Sequence, residues 1–185
     1  MVKKRACIFI SGTGSNLRSI INNSRDPNFP IKINLVLTNN KNATGINYAK
    51  KYSIPFKIIN YNKKKFERIA FKELNEKKIK LICLAGFMKI LSKNFVRNFQ
   101  GKIINIHPSL LPKYKGLNTF KRALENDEKY TGCTVHFVDE KLDSGRTILK
   151  KRIKIYKGET EKILRKKVQT EEHKAYSIAI RKVYN

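Results

Sequence analysis

Short runs of apolar, often β-branched residues alternate along the chain with segments whose apolar positions recur every three or four residues. The runs predict strands and the intervening segments predict helices, because side chains repeat every two residues in a strand and about every 3.6 in a helix. The strands predicted in the first part of the chain are residues 5–10, 31–38, 55–59, 79–85 and 103–107. The predicted helices between them are residues 16–23, 43–52 and 63–78.

The order of these elements is typical of βαβ units around a parallel sheet. The run 79–85 is almost continuously apolar, as expected for a strand buried on both faces. Further along, residues 134–138 and 147–155 predict strands with no clear helix between them, and residues 159–184 predict a long helix. We therefore predict an α/β, Rossmann-like single domain over residues 1–185, with a mostly parallel central sheet, helices on both faces and an antiparallel C-terminal addition.

Length and composition agree with one globular domain: 185 residues, of which 41% are hydrophobic. No apolar run approaches the roughly 20 residues that span a bilayer, and the short run after the basic N-terminus leads into a glycine-rich loop. We therefore expect a cytoplasmic protein. The cysteines Cys7, Cys83 and Cys133 lie in strand-like stretches without metal-ligand spacing, so we expect buried free thiols and no metal.

The formal net charge of +27 is the strongest compositional bias. Such a charge can indicate nucleic-acid binding, binding of small anionic substrates, or a biased solvated surface. Lysine and arginine are spread along the whole chain, and no aromatic-plus-basic RNA motif or helix-turn-helix pattern stands out. We therefore expect no nucleic-acid partner, although the charge would concentrate polyanionic substrates.

A glycine-rich loop, SGTGSNL, covers residues 11–17 between a predicted strand and a predicted helix. Glycines allow a sharp turn there, and a helix N-terminus presents free N–H groups to an anion. Leu17 replaces the third glycine of the dinucleotide fingerprint, and no acidic residue follows the second strand, so a nicotinamide-dependent reductase is disfavoured. The loop predicts a phosphate site, or alternatively a turn without a ligand.

Asn105 and His107 lie two residues apart at the end of a predicted strand, within NIHPSLLP. Both side chains should share one face, at the carboxyl edge where open α/β sheets bind ligands. An amide can donate to a developing oxyanion, and an imidazole can exchange protons near neutral pH. On local pattern alone, a structural histidine is also compatible.

Two further segments carry candidate side chains without local proof of a function. Asp143 precedes a Ser-Gly turn within HFVDEKLDSG, where aspartate is commonly a turn former. Glu171, Glu172 and His173 fall in VQTEEH, within the last predicted helix, where the local pattern favours a solvated face. The sequence gives no sign that Asp143 reaches His107.

Taken in order, SGTGSN, LAGFMKILS, NIHPSLLPKYKG, GCTVHFVDEKLDSG and VQTEEH resemble the phosphoribosylglycinamide formyltransferase family over essentially the whole chain. NIHPSLLP and LDSG are shared by folate-dependent formyltransferases in general, whereas SGTGSN and VQTEEH narrow the resemblance to the phosphoribosylglycinamide enzymes. It implies transfer of the formyl group of 10-formyltetrahydrofolate to the amine of 5-phosphoribosylglycinamide in purine biosynthesis. It implies no metal and no membrane, small-molecule partners, and a monomer or homodimer.

The resemblance also implies residue roles. Asn105, His107 and Asp143 would be catalytic. Gly14, Ser15 and Asn16 would hold the substrate phosphate, and Glu172 would contact the glycinamide end. The folate site would comprise Asn105 and the residues of two loops and one helix, namely Met88, Lys89, Ile90, Leu91, Val138 and, as a candidate only, Arg68.

Two positions depart from the family pattern. The family often has a folate-contacting arginine early in the third helix, and spacing within KKKFERIAFK does not settle whether Arg68 matches it. Family members also often carry histidines after KYKGL, where this chain has Asn118 and Phe120. Neither departure touches the three catalytic candidates.

The nearest alternatives are other formyl-group enzymes and a non-enzymatic binding domain. A methionyl-tRNA formyltransferase would suit the positive charge but carries an additional C-terminal domain, for which we expect no room in 185 residues. A formyltetrahydrofolate hydrolase adds an N-terminal regulatory domain, whereas the first predicted strand here begins almost at Met1. A basic nucleic-acid-binding domain would explain the charge and none of the motifs.

Overall fold

The computed structural model describes residues 2–60 and 62–184. Seven strands alternate with helices along most of the chain. The strands are β1 (Lys4–Ile10), β2 (Ile31–Thr38), β3 (Phe56–Ile58), β4 (Leu81–Leu84), β5 (Lys102–His107), β6 (Tyr130–Phe137) and β7 (Thr147–Lys154). The helices are α1 (Ser15–Ser24), α2 (Ile46–Lys51), α3 (Lys63–Glu76), α4 (Lys93–Asn98), α5 (Thr119–Glu125) and α6 (Glu161–Tyr184).

All seven strands form one sheet in the order β3-β2-β1-β4-β5-β6-β7. The pairs from β3 to β5 are parallel, whereas β6 pairs antiparallel with both β5 and β7. The order reverses direction between β1 and β4, as in doubly wound folds, where ligands bind in the crevice at the reversal. The predicted α/β class, the mostly parallel sheet and the antiparallel C-terminal addition are confirmed.

Helices cover both faces of this sheet, because alternate residues of the inner strands point to opposite sides and both sets are apolar. On one face, Ile8 and Ile10 of β1 pack in a core with α1, α2, α5 and α6. On the other, Cys7 and Phe9 of β1 pack with α3 and α4. In α1 the buried Leu17, Ile20 and Ile21 follow helical spacing, which directs that helix onto the first face.

The sequence pattern missed the short helices α4 and α5. Phe95 is the one buried residue of α4, and this helix of six residues is too short to show a periodic apolar stripe. The start of α4 does carry a local signal, since the side chain of Ser92 accepts a hydrogen bond from the backbone N–H of Phe95. Strand β6 also begins earlier than predicted, at Tyr130 rather than at 134, because Tyr130–Cys133 pair with β7.

Helix α6 is joined to the centre of the sheet by a buried hydroxyl. The side chain of Tyr176 is fully buried, and its hydroxyl donates to the carbonyl oxygens of Leu84, at 2.9 Å, and Ile104, at 3.2 Å. Leu84 of β4 pairs with Asn105 of β5, and Ile104 is the residue before Asn105 in the chain. The hydroxyl therefore fixes α6 against the strands that lead into the candidate site. Cys7, Cys83 and Cys133 are buried free thiols, as predicted.

Replacing Tyr176 by phenylalanine should lower the free energy of unfolding by about 1–3 kcal/mol, because two buried carbonyl oxygens lose a donor while the ring packing is kept. Urea denaturation followed by circular dichroism measures this difference. The matched control is Tyr156→Phe, since Tyr156 is an exposed tyrosine, and there the change should stay within about 0.5 kcal/mol. Equal stability of the two variants would contradict a structural role for the Tyr176 hydroxyl.

Candidate active site

The loops that follow β1 and β4 meet at the carboxyl edge of the sheet, where the strand order reverses. The backbone N–H of Ser11 donates to the carbonyl oxygen of Gly86 at 3.1 Å, and the N–H of Met88 donates to the Ser11 hydroxyl oxygen at 2.8 Å. The Asn40 side-chain amide donates to the Ser11 carbonyl oxygen at 2.9 Å. Ser11 therefore ties together the loops after β1, β2 and β4.

Two adjoining cavities open at this edge, of about 440 and 250 Å³. The larger lies between the loop after β4 and the segment that follows β6. The smaller lies between the β1–α1 loop and helix α6. Both cavities are lined by six residues in common: Gly86, Met88, Ile106, Pro108, Phe120 and Arg165. A ligand in one cavity would therefore lie next to a ligand in the other.

The smaller cavity is closed on one side by the loop that was predicted to bind phosphate. Gly14 has a left-handed backbone, with φ of 71°, and a side chain there would approach the Cα of Gly45 to 2.7 Å. Only glycine both adopts this left-handed backbone readily and leaves room for the backbone of Gly45. Gly14 precedes α1 without a side-chain cap, so the first-turn amide groups of the helix remain for an anion in the cavity.

Glu172 lines the same cavity beside this loop and is not on a solvated face, contrary to the expectation from local pattern. Burial raises the pKa of Glu172, although the Asn16 amide and the Arg165 charge act in the other direction. The Asn16 side-chain nitrogen donates to a Glu172 carboxyl oxygen at 3.0 Å, while the Asn16 side-chain oxygen is buried with no hydrogen-bond partner. The pair thus presents acceptors to a ligand that can donate.

Asn105, His107 and Asp143 come together along the wall of the larger cavity. The expectation that Asn105 and His107 share a face is confirmed. Asp143 lies on the segment between β6 and β7, and its carboxylate is 3.3 Å from Nδ1 of His107. A second hydrogen bond holds this carboxylate, from the backbone N–H of Gly116 at 2.9 Å. The antiparallel β5–β6 pairing produces this contact, which no local sequence pattern could indicate.

The hydrogen-bond partners of His107 favour a doubly protonated ring. Its Nε2 lies 2.8 Å from the carbonyl oxygen of Tyr114, and an oxygen of this kind can only accept. Its Nδ1 faces the Asp143 carboxylate, which also accepts when ionised. Both ring nitrogens therefore face acceptors, and a doubly protonated ring would donate to both.

Sequence reasoning assigned no role to His136, which is buried directly across from Asn105 in the β5–β6 ladder. Its Nδ1 lies 2.8 Å from the Phe137 carbonyl oxygen and therefore carries a proton. Burial lowers the pKa of His136, so the neutral ring accepts through Nε2 from the Asn105 amide nitrogen at 3.3 Å. This contact fixes which way the Asn105 amide points. Its remaining N–H is available to a ligand.

The residues predicted to contact folate fall into two groups. Met88, Lys89, Ile90, Leu91 and Val138 all line the larger cavity, and Met88 and Ile90 are exposed apolar side chains. Arg68 is exposed on α3 and lines neither cavity. The structure thus gathers the first group at one cavity and leaves Arg68 outside it.

Across residues 2–60 and 62–184, no cluster of three or more histidine, cysteine or acidic side chains could hold a metal ion. Within the same part of the chain, no helix is long and apolar enough to cross a membrane.

Comparison with known proteins gives a consistent result. The profile of the family described as "Formyl transferase" matches residues 4–180. The trifunctional purine biosynthetic protein adenosine-3 of Homo sapiens is 42% identical over 98% of this chain, which spans only 18% of that protein. Phosphoribosylglycinamide formyltransferase of Haemophilus influenzae is 37% identical, with 96% of this chain and 86% of that protein covered.

Solved structures give the same result. Phosphoribosylglycinamide formyltransferase from Brucella melitensis superposes with a TM-score of 0.93 at 36% identity, covering 98% of this chain and 96% of that one. Glycinamide ribonucleotide transformylase 1 from Geobacillus kaustophilus superposes with a TM-score of 0.94 at 31% identity, with both chains fully covered.

Replacing Glu172 by glutamine should raise the melting temperature at about pH 8 more than at about pH 5. A carboxyl group with a raised pKa stabilises the fold while protonated, and that stability is lost as pH rises through the folded-state pKa. Glutamine never ionises, so it avoids the cost of a buried charge. Each kcal/mol gained would shift the melting temperature by about 2–4 °C in a chain of this length.

Differential scanning fluorimetry across this pH range tests the Glu172 prediction. The matched control is Glu171→Gln, because Glu171 is the neighbouring carboxylate and pairs with Lys174 at the surface. The control should show no gain that grows with pH. A Glu172 variant that is destabilised at every pH would mean that the buried carboxylate is held by stronger contacts than those described.

Proposed function

The chain belongs to the formyl transferase family, and on that premise we propose that it transfers the formyl group of 10-formyltetrahydrofolate to the amine of 5-phosphoribosylglycinamide. The product is formylglycinamide ribonucleotide, in de novo purine biosynthesis. The observation that carries the proposal is the Asn105–His107–Asp143 cluster beside two adjoining cavities. The smaller cavity suits an anionic substrate, and the larger cavity suits a flat, largely apolar one.

The smaller cavity suits the amine substrate. Its phosphate would lie at the N-terminus of α1, against the backbone of Gly14, Ser15 and Asn16, where free N–H groups and the helix dipole favour an anion. Its amine end would extend towards Glu172, whose carboxyl oxygens and the unpartnered Asn16 oxygen accept hydrogen bonds. Those contacts keep the amine nitrogen oriented towards the shared wall.

The larger cavity suits the formyl donor. The side chains of Leu84, Met88, Ile90, Leu91 and Leu142 offer apolar surface along its walls. The segment 138–143 adds backbone polar groups on one side, which could recognise the edge of a heterocycle. Arg68 stays a prediction for the folate contact, and its place outside both cavities gives it no support.

Formyl transfer requires the amine to attack the formyl carbon, giving a tetrahedral centre whose oxygen carries negative charge. The free N–H of Asn105 would donate to this oxygen, and a preorganised donor of this kind is worth about 3–4 kcal/mol. The contact with His136 holds the amide in the donating orientation without reorganisation during the reaction. The centre then collapses as the bond between the formyl carbon and the folate nitrogen breaks.

His107 and Asp143 would carry out the proton transfers of the reaction. The attacking nitrogen must lose a proton and the leaving folate nitrogen must gain one. The His107 imidazolium would stabilise the oxyanion by its charge and supply the proton that the leaving nitrogen gains. The proton lost by the amine would pass to the His107–Asp143 pair and restore the imidazolium, while Asp143 holds the ring in its orientation. No covalent bond between protein and substrate is needed, because the amine itself is the nucleophile.

The family match over residues 4–180 and the single sheet support one formyltransferase domain across residues 1–185. Small-molecule substrates fit the family. The cytoplasmic location, the absence of a nucleic-acid partner and the choice between monomer and homodimer stay predictions.

Asn105→Ala should reduce kcat for formyl transfer by about 10²–10³-fold, because the oxyanion loses its donor. A spectrophotometric assay with 10-formyl-5,8-dideazafolate and 5-phosphoribosylglycinamide measures this loss. Asn75→Ala is the control, since Asn75 is exposed on α3 away from both cavities, and it should retain wild-type kcat. A well-folded wild type without turnover would refute the proposed function. An Asn105 variant with full turnover would refute only the donor role.

Asp143→Asn should reduce kcat by about 10²-fold or more, since the neutral amide can neither take part in proton transfer nor balance the positive charge that His107 would carry in the reaction. Affinity for 5-phosphoribosylglycinamide should change little, because the phosphate loop lies in the other cavity. Asp127→Asn is closely matched, because Asp127 is exposed and both aspartates have a left-handed backbone, with φ of 45° and 46°, that asparagine tolerates. Comparable kinetics for the two variants would contradict the assigned role of Asp143.

A further inference from the structure

Arg165 occupies the wall that the two cavities share, one helical turn before Gln169 on α6. Gln169 itself donates to the Ser15 hydroxyl oxygen at 2.9 Å, which places this face of α6 directly over the β1–α1 loop. Residues four apart on a helix lie on the same side. Arg165 therefore flanks the phosphate loop from across the smaller cavity.

Two contacts restrict the Arg165 guanidinium. Its central carbon lies 5.1 Å from the centre of the buried Phe120 ring, within range of a cation–π interaction. One terminal nitrogen lies 3.0 Å from a Glu161 carboxyl oxygen at the surface. A guanidinium has five N–H donors arranged in a plane, so these contacts leave donors for an anion.

The electrostatics of the smaller cavity also point to Arg165. Among the described residues that line this cavity, Arg165 is the only lysine or arginine and Glu172 is the only acidic residue. The Arg165 charge reaches far enough into the cavity to oppose the burial-driven rise in the pKa of Glu172. Without Arg165, a phosphate dianion near Glu172 would meet amide and hydroxyl donors but no positively charged side chain among the described lining residues.

We propose that Arg165 binds the phosphate of the amine substrate from the α6 side and makes the enzyme select phosphorylated over unphosphorylated amines. This proposal rests on the function proposed above. Arg165 is a binding residue, and the chemical step is assigned to Asn105, His107 and Asp143. The side chain is 64% exposed, so the contact is weakened by water and salt.

The test compares Arg165→Ala and Arg165→Lys with Lys166→Ala in the full chain. Lys166 is the next residue on α6, is exposed, and lines neither cavity, so its removal makes the same change in net charge. Binding of ribose 5-phosphate is measured by calorimetry at low and high salt. Formyl transfer is measured separately, with phosphoribosylglycinamide and with the same amine lacking the phosphate.

Arg165→Ala should weaken ribose 5-phosphate binding about tenfold at low salt, and less at high salt, through loss of charge-assisted hydrogen bonds. Lys166→Ala should change it less than about twofold, and Arg165→Lys should fall between, since it keeps the charge without the planar fork. In the kinetic assay, Arg165→Ala should raise KM for the phosphorylated amine, leave kcat unchanged and reduce the preference for phosphorylated substrate about tenfold.

Other outcomes would overturn the proposal. Equal losses in Arg165→Ala and Lys166→Ala would show a long-range effect of net charge, and unchanged binding in Arg165→Ala would show no contact. A fall in kcat without a rise in KM would also contradict it. The binding measurement is independent of turnover, so wild-type protein that binds ribose 5-phosphate through Arg165 but transfers no formyl group would refute only the proposed function.

Discussion

The candidate site depends on the hydrogen bonds that join the ends of β1 and β4, where the order of the sheet reverses. Ala85 donates to the Phe9 carbonyl oxygen at 2.9 Å, and Ser11 donates to that of Gly86 at 3.1 Å. Beyond these bonds the two segments diverge. The segment after β1 forms the glycine-rich loop, and the segment after β4 forms part of the wall of the larger cavity. Two adjoining cavities therefore form side by side, because the strand order separates two loops that start next to each other.

Polar groups at this edge are removed from water without a full set of hydrogen bonds. Asn16 keeps a buried oxygen without a partner, and Glu172 has a raised pKa because it is removed from water. An unsatisfied buried polar group costs about 1–3 kcal/mol. The surrounding sheet, covered on both faces by helices, supplies the stability that allows this cost. Unsatisfied polar groups are expected at a cavity wall where a bound ligand completes their hydrogen bonds.

The net charge of +27 and the local charge of the site act on different scales. A diffuse positive surface attracts any polyanion and is screened by salt, so it raises encounter rates more than selectivity. The smaller cavity is lined by one guanidinium, the amide groups of one helix end and one carboxyl group. Under the proposed function, the general charge would concentrate anions at the surface and the geometry of the cavity would decide which one is held.

The sequence by itself determined the alternation of strands and helices, the buried thiols and the glycine-dependent loop, because periodicity and backbone demands are local properties. It placed Asn105 and His107 on one face through the two-residue repeat of β5. Local pattern missed α4 and α5, which are too short to show a repeat, and set Glu172 among solvated residues. Only the tertiary structure decided that Asp143 lies against His107, that His136 orients Asn105 and that Arg165 lines the same cavity as the glycine-rich loop. Each of these contacts joins segments distant in the chain, so it depends on strand order and helix packing rather than on neighbouring residues.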